Sequence, residues 1–147
     1  MVQDWWNVES FRRRRRFIAD GLRDHHAGRY RVSIPTLLPV IEGIAVEELA
    51  PSSAATNPKA AVAGAVQAYD CVMGSAIVDT ITLLWGHHDF ASTPSGCRTL
   101  NRHLILHGRS TGYGTEANSV KVMFALDQLH SLVEAKTSAS PDRPGAS

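Results

Sequence analysis

Arg102 and His107 are the two residues whose types and spacing best suit a chemical reaction. They lie in the stretch NRHLILHG, residues 101–108, between a predicted helix and a glycine. An imidazole can move a proton near neutral pH, and a guanidinium presents a planar fork of donors that can hold a phosphate. These are the groups that cleavage of a phosphodiester needs, so the stretch suggests such a site.

In that reaction His107 would remove the proton from a ribose 2′-hydroxyl. Attack of the 2′-oxygen on the adjacent phosphate would leave a 2′,3′-cyclic phosphate and a 5′-hydroxyl, and Arg102 would stabilise the charge on the phosphorane oxygens. Residues five apart on an α-helix are about 140° out of register, so they do not face one point. The long arginine side chain, fraying of the helix before Gly108, or convergence of two subunits would each repair this. The ordinary alternative is a solvated Arg102 and a His107 that caps a helix C-terminus.

The phrase around these two residues resembles a known family. A polar residue follows Arg102 directly and four residues separate it from His107, within LNRHLILHG at 100–108 and before YGTEANSVK at 113–121. This resembles the HEPN superfamily signature and a subgroup found in bacterial uncharacterised and defence-associated proteins. The resemblance follows helix order over about residues 30–135 and the motif over 100–121.

The resemblance implies a small helical domain that cleaves RNA without a metal and works as a homodimer. His107 of a second subunit would then protonate the leaving oxygen. It also implies RNA as substrate, and an antitoxin or a larger defence-system partner as a further contact. Toxin–antitoxin and phage-defence roles rest on this resemblance alone.

Six further residues are candidates for supporting or substrate-binding roles: Glu42, Asn101, His103, Tyr113, Asn118 and Lys121. His103 would tune the site or contact RNA, and Tyr113 would stack on a base. Asn118 and Lys121, one helical turn apart, would orient the motif or contact the RNA backbone. As ordinary polar surface residues, His103, Asn118 and Lys121 are equally plausible.

Glu42 is the supporting candidate that needs a partner. It lies among apolar residues of the second predicted helix, and a buried carboxylate must be paired. Arg102 is the obvious partner; the alternative is a boundary position where the carboxylate reaches water. The turn at 112–115 precedes a helix whose free N–H groups could hold a phosphate, although a flexible turn with a threonine cap is favoured there.

A metal site is the weaker interpretation of the histidines. His103 and His107 have the four-residue spacing of metal ligands on one helix face, and His87-His88-Asp89 could complete a site. No glutamate accompanies the pair as in HExxH, and adjacent histidines in a loop are usually solvated. We therefore expect no metal and no cofactor.

Apolar periodicity predicts five helices, at about residues 8–26, 33–50, 57–85, 98–107 and 116–136. Ser33, Asn57-Pro58 and Thr115 are predicted starts, whereas Gly28 and Gly108 are predicted ends. Gly64 and Gly74 suggest close helix packing, with a plain weak point in the helix as the alternative. No repeat and no strand alternation is found, so the predicted fold is all-α, a small HEPN-like bundle of about five helices.

Composition sets the outer bounds. The chain has 147 residues, 44% hydrophobic and 20% charged, which fits a single domain at 1–136 and a disordered tail at 137–147. Two cysteines without CxxC spacing, no signal-like segment and no long apolar run favour a reduced, cytoplasmic protein. The net charge of +1 hides eight arginines against four acids in residues 1–31.

Five of those arginines are consecutive, at residues 12–16. Because consecutive residues point 100° apart, they surround a helix instead of forming one stripe. RNA or an acidic partner would suit them, and a solvated helix is the alternative. Trp5 and Trp6 are expected to pack against the core or a second subunit.

Two functions of different class remain open. The first is a metal-independent endoribonuclease with a composite Arg102/His107 site at a dimer interface. The second is a non-catalytic helical module that binds RNA, a nucleotide or another protein. The two differ in whether RNA is cut, and in whether Arg102 and His107 converge.

Overall fold

The computed structural model describes residues 2–50, 57–69, 74–87, 94 and 96–139. Within these ranges the helices are α1 (Val2–Trp5), α2 (Glu9–Arg13), α3 (Arg15–His26), α4 (Tyr30–Ile44), α5 (Pro58–Tyr69), α6 (Gly74–Trp85), α7 (Arg102–Leu106) and α8 (Glu116–Ala139). The described part of the chain contains no strand, only an isolated bridge between Cys97 and Ser110. The predicted all-α class is confirmed.

The predicted first helix is interrupted at Arg14. This residue has φ −97° and ψ 8° and separates α2 from α3, so one continuous helix over 8–26 was wrong. Phe11 of α2 and Ile18 of α3 are both fully buried. Trp5 is also buried and packs beside Phe11. Gly28, with φ +71°, follows the end of α3 as expected.

The second helix begins earlier than its predicted cap. Ser33 lies inside α4, where its backbone N–H donates to the carbonyl of Arg29 at 3.0 Å. Its side chain is fully buried, and its hydroxyl lies 3.2 Å from that of Ser119 in α8. The N-cap assignment was therefore wrong, since a neighbouring helix supplies the partner of the hydroxyl. The helix then continues as a π-helix over Ala45–Leu49.

The third predicted helix is two helices, α5 and α6, which pack against each other. Asn57 caps α5 as predicted, because its side chain accepts from the N–H of Lys59 at 3.0 Å. A Cβ at Gly74 would lie 2.4 Å from Cγ1 of Val66, whereas a Cβ at Gly64 would meet no atom within 4 Å. Close helix approach is thus confirmed at Gly74 and absent at Gly64. Residues 51–56, between the second and third predicted helices, lie outside the described residues.

The C-terminal part has a short helix followed by a long one. α7 is shorter than the predicted 98–107, and Gly108, with φ +70°, follows it. The Thr115 cap is confirmed, since its hydroxyl accepts from the N–H of Asn118 at 3.2 Å. α8 extends three residues beyond the predicted end at 136, to Ala139, and residues 140–147 of the predicted tail lie outside the described part.

The core lies between α4 and α8, with α3, α5, α6 and α7 around them. The largest fully buried side chains are Phe11, Ile18, Ile34, Leu37, Leu38, Ile41, Ile44, Ile77, Ile81, Leu84, Leu104 and Leu126. α7 therefore contributes Leu104 and Ile105 to the buried residues, whereas His103 and Leu106 are exposed. In the described ranges, no helix is both long enough and apolar enough to cross a bilayer.

Candidate functional site

Asn101 fixes the start of α7, the helix that carries Arg102. Its side chain is fully buried, and its Oδ1 accepts from the backbone N–H of His103 at 3.0 Å and of Leu104 at 3.2 Å. Its Nδ2 donates to the carbonyl of Gly86 at 2.9 Å. Because Gly86 directly follows α6, one amide joins the end of α6 to the beginning of α7.

Arg102 forms an ion pair with Glu42 of α4. Its Nη2 lies 3.1 Å from Oε2 of Glu42, and the two side chains are 33% and 28% exposed. This is the partner that the sequence suggested for Glu42. Nε of Arg102 is buried and has no hydrogen-bond partner among the described residues. The carboxylate thus holds one side of the guanidinium, and the side chain remains accessible from solvent.

His107 lies just beyond the last residue of α7. It is the C-cap residue, with φ −92° and ψ 7°, and its backbone N–H still donates to the carbonyl of His103 at 3.1 Å, so helical spacing places it beside His103. Its ring centroid is 4.5 Å from that of His103, in an edge-to-face arrangement. Both residues are exposed. The structure therefore brings the imidazoles of His103 and His107 together, in the stretch that directly follows Arg102 in the sequence.

The charges around His103 define the extent of this cluster. Desolvation lowers the pKa of His103 below its ordinary value, and the charges of His107, Arg102 and His87 lower it further. The neutral imidazole is favoured as a result. His87 is thus electrostatically coupled to the cluster, although the sequence had connected it only with the metal alternative.

Tyr113 acts on the backbone of α4. Its hydroxyl donates to the carbonyl of Arg31 at 2.9 Å. This carbonyl would accept from residue 35 in a regular helix, but Pro35 has no N–H. The tyrosine therefore supplies the donor that the proline removes, and its hydroxyl is occupied by the fold.

Asn118 holds the same turn from α8. Its Nδ2 donates to the carbonyl of Tyr113 at 2.9 Å and lies 3.4 Å from that of Arg98. Ser110 closes the preceding loop, with its hydroxyl 3.0 Å from the carbonyl of Cys97 and 2.8 Å from that of Thr99. The residues after the motif thus include several that shape its backbone. Lys121 of the same phrase is exposed.

The consecutive arginines point to different partners. These partners are Glu9 for Arg12, Glu47 for Arg13 and Arg14, and the ring of Trp6 for Arg15, whose guanidinium carbon is 5.1 Å from the ring centroid. Burial, followed by the charge of Arg13, lowers the pKa of Arg14. Much of the charge of this run is therefore balanced within the protein, which reduces what it offers to RNA.

A partly buried histidine–serine contact was not predicted from the sequence. Nδ1 of His25 lies 2.9 Å from the hydroxyl of Ser119, a pairing typical of nucleophilic sites. Ser119 is fully buried, however, and its hydroxyl also faces that of Ser33. A substrate cannot reach it, so this network joins α3, α4 and α8. The two residues are 94 positions apart, and no local signal connects them.

The described residues hold no group of three or more histidine, cysteine or acidic side chains arranged for a metal ion. His88 and Asp89, which the metal alternative included, lie outside the described part. The observed candidate site is therefore the cluster of Arg102, His103 and His107, backed by Glu42. Comparison with protein-family models, curated proteins and solved structures gives no match to this chain.

Proposed function

We propose that this protein is a metal-independent endoribonuclease. One observation carries the proposal: a half-exposed guanidinium and two adjoining exposed imidazoles lie at one five-residue helix. A general base and a cationic clamp for phosphate are the minimum that 2′-hydroxyl attack requires. The resemblance of the phrase at 100–121 to the HEPN superfamily supports the same chemistry.

In this mechanism His107 accepts the proton of a ribose 2′-hydroxyl. The 2′-oxygen bonds to the adjacent phosphorus, and the bond from phosphorus to the 5′-oxygen breaks. Arg102 donates hydrogen bonds to the non-bridging oxygens as their charge grows. The leaving 5′-oxygen takes a proton from the partner subunit's His107. The products are a 2′,3′-cyclic phosphate and a 5′-hydroxyl end.

Glu42 orients the guanidinium in this scheme. The ion pair at 3.1 Å uses one nitrogen of Arg102 and fixes the side chain, while the fork has five N–H donors in all. An incoming phosphate shares the guanidinium with the carboxylate. Glu42→Gln keeps the shape of the side chain and removes this competition, so it should tighten RNA binding while loosening the position of Arg102.

The same ion pair favours a second candidate function. Because Glu42 balances much of the charge of Arg102, the cluster also suits a non-catalytic module that binds RNA or a nucleotide. This alternative predicts RNA binding without products, and binding that weakens in Arg102→Ala. Product analysis separates the two functions.

The decisive experiment incubates the full chain with single-stranded RNA in EDTA. We expect fragments that end in cyclic phosphates, and their loss in Arg102→Ala and in His107→Ala. His26→Ala and Arg23→Ala are matched controls, since both residues are exposed on α3. Cleavage that persists in both site variants contradicts the assignment, and wild-type protein that binds RNA without cutting it supports the alternative.

The homodimer has a test of its own. Because cleavage needs His107 of both subunits, an excess of the His107→Ala chain should suppress the activity of the wild-type chain as mixed dimers form. Light scattering after size exclusion should give twice the 16.0 kDa chain mass. A monomer that cleaves RNA would contradict a site that is shared between two subunits.

A role as a toxin or in phage defence, in the cytoplasm and with an antitoxin or larger partner, extends the proposal through the resemblance. Expression in bacteria tests it. Growth should stop with the wild-type chain and continue with His107→Ala. Equal growth with both chains would contradict the toxin role.

A further inference from the structure

The two imidazoles of the site have a second chemical use. His103 and His107 are four positions apart, exposed, and separated by 4.5 Å between ring centroids. Two imidazoles that bind one metal ion at about 2.1 Å place their ring centroids about 5 Å apart. The observed separation is close to this value, so small ring rotations suffice to direct one nitrogen of each ring at a common ion.

We propose that His103 and His107 together bind one divalent transition-metal ion, and that this ion inhibits the site. The inhibitory half rests on the proposed ribonuclease function; the binding half does not. Imidazole nitrogen selects copper, nickel and zinc over magnesium and calcium, which take oxygen ligands. With two protein ligands, water completes the coordination, as at an open site.

Two arginines lie near the ligands in the sequence. Arg102 precedes His103 and is paired with Glu42 at 3.1 Å, which offsets part of its charge, whereas Arg109 follows His107 by two residues. The bonds from the imidazoles to the metal must therefore outweigh a residual positive charge. His107 lies at the C-terminal end of α7, where the helix dipole favours a positive ion, and His103 is the second residue of the helix. The backbone there is held in place, because Asn101 caps the start of the helix and the N–H of His107 donates to the carbonyl of His103 at 3.1 Å.

Inhibition follows from the atom that the ion occupies. A metal bound to His107 takes the lone pair of a ring nitrogen, and a general base needs such a lone pair to accept a proton. The ion also places positive charge where the ribose must approach. The metal-free protein is therefore the active form, and the metal-bound protein is the inactive one.

The binding test uses the full chain without a histidine tag, freed of metal by a chelator and titrated with Cu²⁺ or Zn²⁺. We expect one ion per chain, with Cu²⁺ held more tightly than Zn²⁺. His103→Ala and His107→Ala should each weaken binding by about tenfold or more, because one of two ligands is lost. Electron paramagnetic resonance of the Cu²⁺ form should show two coordinating nitrogens in the wild type and fewer in the variants.

His26→Ala is the matched control. His25 and His26 are a second adjacent pair, with ring centroids 5.6 Å apart, but Nδ1 of His25 faces Ser119. Removing His26 should leave the affinity unchanged. Unchanged binding in both site variants, or an equal loss in His26→Ala, overturns the metal site.

The inhibition test adds Zn²⁺ to the chelator-treated protein during RNA cleavage. Half-inhibition should fall at the free zinc concentration that half-saturates binding. Zinc that binds at the pair and leaves cleavage unchanged overturns the inhibitory half. If metal-free protein cuts no RNA, the proposed function and the inhibition built on it both fail, while the binding titration still decides the metal site.

Discussion

Replacement of Asn101 tests how the fold positions the candidate site. In Asn101→Ala the N–H groups of His103 and Leu104 lose their acceptor, which costs about 1–2 kcal/mol for a helix cap. The carbonyl of Gly86 loses its donor at 2.9 Å, which costs about 1 kcal/mol more. The side chain is fully buried, so water does not replace these bonds without rearrangement. We expect the free energy of unfolding to fall by about 2–3 kcal/mol in total.

Two matched variants divide this loss into its parts. Asn101→Ser keeps a capping oxygen but cannot reach Gly86, so it should lose only about 1 kcal/mol. Asn57→Ala removes an exposed cap of α5 that joins no second helix, and should cost about 1 kcal/mol or less.

Urea unfolding with an unchanged m-value is the assay. The reasoning is refuted if Asn101→Ala unfolds within about 0.5 kcal/mol of the wild type, or if Asn101→Ser is as destabilised as Asn101→Ala. In the first case the cap contributes nothing measurable. In the second case the destabilisation comes from the side-chain volume lost in the buried space. Neither the helix cap nor the bond to Gly86 is then its source.

Three other predictions concern packing, the turn and the histidines. Gly74→Ala should lower the free energy of unfolding in urea by about 1–3 kcal/mol through overpacking, whereas Gly64→Ala should raise it by about 0.5–1 kcal/mol. Equal effects would contradict the packing of α5 on α6. Tyr113→Phe should lower the free energy of unfolding by about 1 kcal/mol, because the carbonyl of Arg31, which Pro35 leaves without a backbone donor, then loses the tyrosine hydroxyl. An unchanged unfolding midpoint would contradict this role of Tyr113. A nuclear magnetic resonance titration should place the pKa of His103 below 6.5, and His107→Ala should raise that pKa by removing a nearby charge. An unchanged pKa in this variant would contradict the electrostatic interaction between the two rings.

The sequence predicts the helix signals that act over one turn. Gly28, Asn57, Gly108 and Thr115 each work through their own backbone or a neighbour within three residues, and each lies where it was expected. The predictions that failed depend on distant parts of the chain. Ser33 has the composition of a cap, but its hydroxyl faces a serine 86 positions away.

The candidate site was predicted unevenly for the same reason. The pairing of Glu42 with Arg102 followed from one rule, that a carboxylate among apolar residues needs a partner. The contact of His103 with His107 follows from helical spacing. The bond from Tyr113 to α4 spans 82 positions and depends on a missing proline N–H, so no local pattern indicates it. The coupling of His87 to the cluster likewise arises only when α6 meets α7.

The π-helical end of α4 affects which changes in chain length the fold can accept. Ala45–Leu49 forms a wide turn after the last α-helical residue, Ile44, and ends at Ala50, whose backbone is extended; such wide turns hold an extra residue. Deleting one residue there would return the segment to α-helical spacing. The same deletion between Ile34 and Ile41 would rotate all later side chains of α4 by about 100° and take its apolar face away from the core. Among related sequences, single-residue insertions and deletions in this helix should therefore collect at 45–49 and be absent from 34–41.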